Sequence, residues 1–578
     1  MNRPRTEKPD LAAASATVAG LVPDVPRLRV AIKGVGESWE RPPTRLERRA
    51  IGRGLTQAAR RAAQRARKRR REEADARRDR AFELVRALSA DGVGEDEARG
   101  MREELASIPE VADLVDDVVL LLLADIVEGV VREILLSPEL RGACLTDPVA
   151  DFSRERVLTL ARLVRIMLCM GGGCLDEELW EACWREGPVP TASALTQRRR
   201  LLTEEGARYV FRRVTEECLA FAGDVPREGA PDLHGIEAFY AADATDVNVW
   251  PDASAEETRV GGNGDRRGWN QYHLNCLYDV ATETFVAAEL QPKRRTHETR
   301  ALADMIRSMS FDRLTLVAGD RGYGSLNLIE TVRRTDNLEC LFRVRDNWIK
   351  EVARLAMEEI DEDLVVHVIT TQRKCDKERV RANLAKYLSG ASKFGKYKKS
   401  QVWDFESEVD VCFRVVRVRL GNGELETLVT TLPRDRFPPE VLRDLYHTRW
   451  RIENGFRVLK WQNHLAQMHC RIDGLSRQET WLKLASHNLV SAAVAAAEAL
   501  HPHVDAPGAK YDTVPDRHHA TVCVTSFLLS PHSRWDPPAD GRECVTRSIA
   551  SHRTQLRTGR TSPRRKRAIG HAPSHYRC

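Results

Sequence analysis

The 578-residue sequence lacks several features that define common protein classes. Acidic residues interrupt the Val- and Leu-rich stretch 111–136, so it is unsuited to crossing a bilayer. The N-terminus has no apolar core followed by a cleavage site, which predicts no secretory signal. Thirteen cysteines are scattered, without paired C-x-x-C knuckles at zinc-finger spacing. We therefore expect no membrane partner, no structural zinc and a reducing, cytoplasmic location.

The sequence also lacks a large excess of basic over acidic residues, or of acidic over basic ones. The formal net charge is only +6, although 30% of the residues are charged. Basic residues are instead clustered in an Arg-rich block at 60–71 and a shorter block at 564–567. Each block could contact phosphates, or could equally be a solvated helix face or a disordered tail. Neither block alone predicts DNA binding.

Length and residue periodicity predict a multidomain chain with an α/β core. Helical patterns come first, short apolar runs typical of strands follow Pro231, and alternating apolar and polar residues precede a second helical region. The predicted segments are a basic helical extension (1–140), a helical module (141–230), a first core part (231–345), a β-rich insertion (346–432), a helical second core part (433–500) and a basic, loosely structured tail (501–578).

The helical module carries three consecutive arginines on its last short helix, which Ser193 is predicted to cap. Short helices joined by a turn could place Arg198, Arg199 and Arg200 against a DNA groove. An exposed, Arg-rich helix face is an equally good interpretation of the same pattern.

Two aspartates follow predicted strands of the core. Asp243 is predicted to close the strand 238–242, and Asp320 comes after 314–318. Both could project from one sheet edge, where converging carboxylates bind hard cations such as Mg²⁺. A single aspartate at a strand end is more often a turn or helix cap. Asp246 is a less favoured alternative, because it lies beyond the predicted strand end.

A helix predicted from Pro438 to about Lys460 carries four polar residues on one face. At about 100° per residue, they share a narrow stripe beside an apolar stripe that could dock the helix on the sheet. The four are Tyr446, Arg449, Glu453 and Lys460. An acid flanked by cations suits a site for metal and polyanion together. The alternative is an exposed helix with an Arg449 to Glu453 ion pair.

Other candidates receive simpler interpretations. His297 and Glu298 begin a predicted helix, so we expect caps or exposed side chains there rather than catalytic groups. Trp348 and Trp403 in the insertion could stack on an unpaired base, although core packing is the commoner role of tryptophan. They are therefore left out of the predicted site.

Three motifs in order resemble one family. The spacing Tyr446-x2-Arg449-x3-Glu453-x6-Lys460 resembles the Y-x2-R-x3-E-x6-K motif of insertion-sequence-4-type DDE transposases. The sequence 320–323 resembles that family's D-R-G-[YF], and 243–245 resembles its D-x-T. The resemblance covers about residues 147–500 and leaves both ends outside it.

The resemblance implies an RNase H-like catalytic core interrupted by a β-rich insertion, with a helical N-terminal region. Asp243, Asp320 and Glu453 would be the catalytic residues and would hold two Mg²⁺ or Mn²⁺ ions. Arg449 and Lys460 would contact phosphates at the transposon ends, and Tyr446 would bond a phosphate near the scissile position.

The implied activity is cleavage of transposon ends and joining of their 3′-hydroxyls to target DNA. Family members commonly act as a homodimer in a paired-end complex, and we expect a prokaryotic, nucleoid-associated protein. Two alternatives stay open at this point. One is an inactive, domesticated DNA-binding protein derived from a transposase, and the other is a metal-dependent nuclease without strand transfer.

Overall fold

The computed structural model describes most of residues 123–555. The gaps are 125, 155, 184–187, 223–229, 262–267, 371–372, 391–401, 504, 506–510 and 530–544. Both Arg-rich blocks, at 60–71 and 564–567, lie outside the described residues. Within the described ranges, no helix is both long and apolar enough to cross a membrane.

Among the residues that the structure describes, six helices precede the sheet. They are α1 (126–136), α2 (Pro138–Cys144), α3 (Leu160–Cys169), α4 (Leu175–Cys183), α5 (Ala192–Arg199) and α6 (Glu204–Ala222). The prediction that Ser193 caps α5 is wrong. Thr191 is the N-cap, because its side-chain oxygen accepts a hydrogen bond from the backbone N–H of Ala194 at 3.2 Å.

The first part of the core alternates strands with two helices. Its elements are β1 (Ala238–Val249), β2 (Arg259–Val260), β3 (Trp269–Asp279), β4 (Thr284–Pro292), α7 (Glu298–Arg307), β5 (Thr315–Gly319), α8 (Leu326–Arg333) and β6 (Leu338–Val344). β1 pairs antiparallel with β3, which pairs antiparallel with β4, while β1, β5 and β6 run parallel. The large mixed α/β sheet fits an RNase H-like core.

The β-rich segment continues the same sheet. Its elements are α9 (Lys350–Ala353), β7 (Ile360–Ile369), α10 (Lys374–Arg381), β8 (Lys386–Tyr387), β9 (Ser389–Gly390), β10 (Val402–Trp403), β11 (Glu408–Arg419) and β12 (Leu425–Thr430). β12 pairs antiparallel with β6, and the order then runs through β11 and β7 to β8. Gly423 adopts φ +85° in the turn between β11 and β12, a conformation that favours glycine.

Helices dominate the remainder. They are α11 (Pro439–Thr448), α12 (Arg451–Trp461), α13 (Asp473–Leu500), α14 (Arg517–Leu529) and α15 (Val545–Ser551), with the short strands β13 (Thr513–Pro515) and β14 (Arg553–Gln555). The prediction of a loosely structured tail from 501 is therefore wrong for these segments. Their buried apolar residues, such as Phe527 and Ile549, join the main hydrophobic core.

The single helix predicted over 438–460 is interrupted at Arg449. There the backbone N–H of Arg449 bonds to Tyr446 O at 3.1 Å, and that of Ile452 bonds to Arg449 O at 3.2 Å. These i to i−3 bonds tighten the turn and rotate successive side chains by about 120° instead of about 100°. The polar stripe predicted from uniform α-helical geometry therefore does not run unbroken from α11 into α12.

The 28-residue α13 is buried along nearly its whole length. Trp481 contacts Phe211 of α6 with ring centroids 5.8 Å apart. On the sheet side, Asn488 accepts a hydrogen bond from Phe285 N at 3.0 Å and donates one to Phe285 O at 2.9 Å. Asn488 also donates to Thr215 of α6 at 2.8 Å. One amide side chain thus joins the N-terminal helices, α13 and the strand β4.

A buried ionic network joins the N-terminal helices to the end of the core. Arg199 lies 3.2 Å from Glu479, whose other oxygen lies 2.8 Å from His469 Nδ1. His469 Nε2 lies 3.3 Å from Glu178 of α4. Burial lowers the pKa of His469, but its hydrogen bonds with Glu178 and Glu479 outweigh burial and raise the pKa to about 9. His469 is therefore cationic in the folded protein at neutral pH.

This network predicts a pH-dependent stability. Because folding raises the pKa of His469 from 6.5 to about 9, its contribution is complete below pH 6.5 and is lost as the pH rises through 9. The free energy of unfolding, measured with urea, should fall between pH 6.5 and pH 9.5. His469→Gln should be less stable at pH 6.5 and should lose less stability over this interval. Equal losses in both proteins would contradict the assignment.

Candidate active site

The two predicted catalytic aspartates lie side by side. Asp320 follows its strand as predicted, but Asp243 lies within its strand. The prediction that Asp243 closes its strand is wrong, since β1 continues to Val249 through its pairing with β3. The parallel pairing of β1 with β5, however, ends at Ala242 opposite Gly319. Asp243 and Asp320 are the next residues on these neighbouring strands. The sheet therefore places the two carboxylates next to each other where the parallel pairing of β1 with β5 ends.

A tight turn after β5 fixes Asp320. Its Oδ1 accepts a hydrogen bond from Gly322 N at 2.8 Å, and its backbone O accepts one from Tyr323 N at 3.1 Å. The Tyr323 ring folds back over Gly319, where an added Cβ would lie 2.7 Å from the ring. Glycine at 319 thus allows the Tyr323 ring to pack against the end of β5, next to Asp320.

Tyr323 is a buried residue close to the aspartates. It is 1% exposed, and its hydroxyl has no hydrogen-bond partner within the described residues. Burial, followed by the negative charges of Asp243, Glu298 and Asp320, raises the pKa of Tyr323 well above its usual value. The phenol is therefore neutral, and its hydroxyl lies in the field of three carboxylates.

Asp243 occupies a half-buried position between opposing charges. Burial raises the pKa of its carboxyl, and the charges of Asp320 and Glu298 act in the same direction. A hydrogen bond from Ala244 N at 2.8 Å and the charge of Arg449 lower it. The nearest guanidinium nitrogen of Arg449 lies 3.4 Å from Asp243 Oδ2. Asp243 is thus desolvated among like charges and held by one cation.

Arg449 and Tyr446 lie beneath the surface at the junction of α11 and α12. They are 4% and 3% exposed, and the Arg449 guanidinium lies 5.6 Å from the Tyr446 ring centroid. The Trp450 ring centroid lies 5.2 Å from the same guanidinium. The junction therefore directs Arg449 inward to the aspartates. Direct contacts of Arg449 and Tyr446 with phosphate stay predictions.

Glu453 and Lys460 lie on α12, which packs closely on the sheet. An added Cβ on Gly455 would lie 2.7 Å from the Tyr278 ring of β3. Glu453 is exposed, while Lys460 is half-buried. Burial lowers the pKa of Lys460, and the charge of Asp246 opposes this effect. Along the described part of the chain, no three His, Cys, Asp or Glu side chains stand close enough together to hold one metal ion.

Asp246, the alternative metal ligand, forms hydrogen bonds with His273 and Lys293. Its Oδ1 lies 2.7 Å from His273 Nδ1 and 2.5 Å from Lys293 Nζ. His273 Nε2 in turn lies 3.0 Å from Glu298 Oε1. Burial raises the pKa of Asp246, but the hydrogen bonds from His273 and Lys293 outweigh it and lower the pKa. Asp246 is therefore part of a hydrogen-bonded chain behind the site.

Glu298 is the residue that sequence reasoning missed. His297 caps α7, as expected, since its side chain accepts a hydrogen bond from Arg300 N at 3.2 Å. Glu298, expected to be a cap or an exposed residue, instead places its charge beside Asp243 and Asp320. α7 approaches the turn after β5 only in the folded protein. The spacing of residues along the sequence therefore could not predict that Glu298 lies near Asp320.

The three arginines at the C-terminal end of α5 do not form one basic face. The prediction that Arg199 contacts DNA is wrong for this structure, because its guanidinium is buried and donates to Leu475 O at 2.8 Å. Arg198 lies 4.9 Å from the Phe152 ring centroid. Arg200 is exposed. Contacts of Arg198 and Arg200 with DNA stay predictions.

The two tryptophans of the β-rich segment pack within the protein. Trp403 is 1% exposed, and its indole N–H donates to Glu406 O at 2.7 Å. Trp348 donates to Gly324 O at 3.0 Å, next to the turn that carries Asp320, and its ring contacts Phe413 edge-on. Trp348 therefore supports the turn from the side of the β-rich segment.

Comparison with known protein families gives a match over the core. Residues 235–489 match the family model described as "Transposase DDE domain", and this range contains Asp243, Asp320 and Glu453. The match supports a DDE transposase. None of the curated proteins matches the chain.

One solved structure aligns with most of the chain. It is a piggyBac transposase synaptic complex with hairpin DNA, and the alignment covers 73% of this chain and 84% of that one. Sequence identity is 10% and the TM-score is 0.38. This similarity is too low to define the fold or the function.

The packing of Tyr323 yields a test of the site's architecture. Gly319→Ala would place a methyl group against the buried ring and should destabilise the protein by about 1–3 kcal/mol, as overpacked cores do. Gly421→Ala is the matched control, because an added Cβ there meets nothing within 4 Å. Urea unfolding of both variants measures the difference. Equal stabilities would exclude the close packing of Tyr323 over Gly319.

Proposed function

We propose that the chain is a DNA transposase of the insertion-sequence-4 type, which cleaves transposon ends and joins their 3′-hydroxyls to target DNA. The observation that carries this proposal is the adjacency of Asp243 and Asp320 where the parallel pairing of β1 with β5 ends. It falls within the segment that matches the transposase DDE domain. Transposon-end DNA and target DNA are the proposed partners.

The donors at this edge fit a divalent metal ion. Asp243 and Asp320 offer carboxylate oxygens, which Mg²⁺ and Mn²⁺ prefer. Asp243 is also desolvated beside other negative charges, a situation that a bound cation relieves. We propose that Asp243, Asp320 and Glu453 hold two such ions. Bound ions would activate the attacking oxygen and stabilise the leaving one during phosphoryl transfer.

The surrounding side chains have separate tasks in this proposal. Arg449 holds Asp243 in place through its ion pair, and Tyr323 excludes water from the floor of the site. Glu453 stands on the exposed side of α12, where it meets DNA and metal together. Arg449 and Lys460 would contact phosphates at the transposon ends, and Tyr446 would bond a phosphate near the scissile position. Phosphoryl transfer by this route requires no covalent intermediate with the protein.

We further propose that two chains act together as a homodimer that holds a pair of DNA ends, in the nucleoid of a prokaryotic cell. This arrangement rests on the resemblance of the sequence motifs to insertion-sequence-4-type transposases. Size-exclusion chromatography with light scattering, in the presence of end DNA, should give a complex with two chains and two DNA ends. A complex with one chain would contradict the paired-end assembly.

The decisive experiment uses the full chain, Mg²⁺ and DNA that carries the sequences flanking its own gene. Cleavage followed by joining supports the proposed transposase. Cleavage without joining indicates a nuclease, and binding without cleavage indicates a domesticated DNA-binding protein. Both of these outcomes would overturn the proposal.

Substitution of the acidic residues should separate catalysis from folding. Asp320→Asn and Glu453→Gln should each reduce end cleavage by about 100-fold or more, which exceeds the typical effect of a residue that only supports a metal ligand. Asp304→Asn on α7 is a matched control with an exposed carboxylate paired with Arg300 and Arg307, and should cleave normally. Normal cleavage by Glu453→Gln would remove Glu453 from the site.

A further inference from the structure

Glu298 lies against the turn that carries Asp320. A Cβ added to Gly322 would lie 2.5 Å from Glu298 Oε2 and 3.1 Å from Asp320 Oδ1. Two atoms at these distances from one point are at most 5.6 Å apart, the sum of 2.5 and 3.1 Å. The carboxylates of Glu298 and Asp320 therefore face each other across the space that the missing side chain of Gly322 leaves open.

The other carboxylate oxygen of Glu298 is anchored. His273 Nε2 lies 3.0 Å from Glu298 Oε1, and His273 Nδ1 lies 2.7 Å from Asp246 Oδ1. His273 and Asp246 are directly opposite each other on β3 and β1, so the sheet itself fixes this pair. This chain of contacts orients Glu298 with Oε2 toward Asp320. A structural role alone would not require the second oxygen to face the carboxylate of Asp320.

A buried hydroxyl supplies an independent indication of a ligand. Tyr323 is 1% exposed, and its Oη has no hydrogen-bond partner in the described structure. The charges of Asp243, Glu298 and Asp320 all act on this phenol. A buried donor without a partner is costly, and a bound ion with its water is one way to satisfy such a group.

We propose that Glu298 is a metal-ligating carboxylate of this site, together with Asp243 and Asp320. This inference rests on the proposed function and deepens it, since it adds a ligand from α7 to those on β1, β5 and α12. Like charges keep the three carboxylates apart, and a divalent cation draws them together. Glu298 thus completes a cation site from the core alone, before α12 contributes Glu453.

A substitution at Gly322 offers a second way to test whether Glu298 binds the metal ion. A methyl group at this position would collide with Glu298 Oε2, which is the flexible end of a side chain and can move away. Gly322→Ala should therefore displace the Glu298 carboxylate without disturbing the core. The expected result is weaker metal binding in a protein that unfolds at the temperature of the wild type.

The experiment measures Mn²⁺ binding to the full chain by isothermal titration calorimetry in the absence of DNA. Glu298→Gln and Gly322→Ala should each weaken Mn²⁺ binding by about tenfold or more, within the range for altered metal-site residues. Asp304→Asn, on the same helix and paired with Arg300, should bind Mn²⁺ like the wild type. Thermal unfolding of each variant controls for loss of the fold.

The outcomes separate this inference from the proposed function. Wild-type Mn²⁺ affinity in both Glu298→Gln and Gly322→Ala, with weak binding in Asp320→Asn, would overturn the role of Glu298 and leave the transposase proposal intact. No Mn²⁺ binding and no DNA cleavage by the wild type would overturn the proposed function itself. Weak binding in both variants with normal binding in Asp304→Asn supports Glu298 as a ligand.

Discussion

The parallel pairing of β1 with β5 is the constraint on which the candidate site depends. Its last pair, Ala242 with Gly319, brings Asp243 and Asp320 together as the next residues on adjacent strands. The neighbouring side chains accommodate these two like charges. Arg449 turns inward at a tightened helix junction to balance Asp243, and Gly319 lacks a side chain so that Tyr323 can close the floor. The two carboxylates thus lie next to each other in a partly buried place.

Much of the core could be predicted from the sequence, because strands alternate in polarity and helices repeat every 3.6 residues. Asp320 was found for this reason, immediately after a short buried strand. Asp243 was found with the wrong local structure, since β1 runs on along β3 as a partly exposed strand after its parallel neighbour ends. The prediction of one uniform helix was also wrong at Arg449. Backbone hydrogen bonds from residue i to residue i−3 interrupt the α-helix there and rotate α12 relative to α11.

The remaining errors come from contacts between residues distant in sequence. Arg199 belongs to an Arg-rich triplet that suggests a surface, yet Glu479, 280 residues later, pairs with it in the core. Glu298 begins a helix in the manner of an ordinary first-turn acid, and only the approach of α7 to the turn at Gly322 reveals its neighbours. α14 lies in a region that is rich in Pro, Ser, His and Arg and has few sustained apolar runs, so its docking on α13 and α3, which bury one side of it, was not predicted.

The contact between Asn488 and β4 has a consequence for solubility. A strand at the edge of a sheet exposes N–H and C=O groups that can recruit a strand from another molecule, which is a common start of aggregation. At Phe285 both groups are already occupied by the amide of Asn488, and α13 covers the adjoining stretch. The Asn488 side chain thus forms the two backbone hydrogen bonds that a neighbouring strand would form at Phe285. The long helix that anchors the core therefore also shields this margin of the sheet from intermolecular β-pairing.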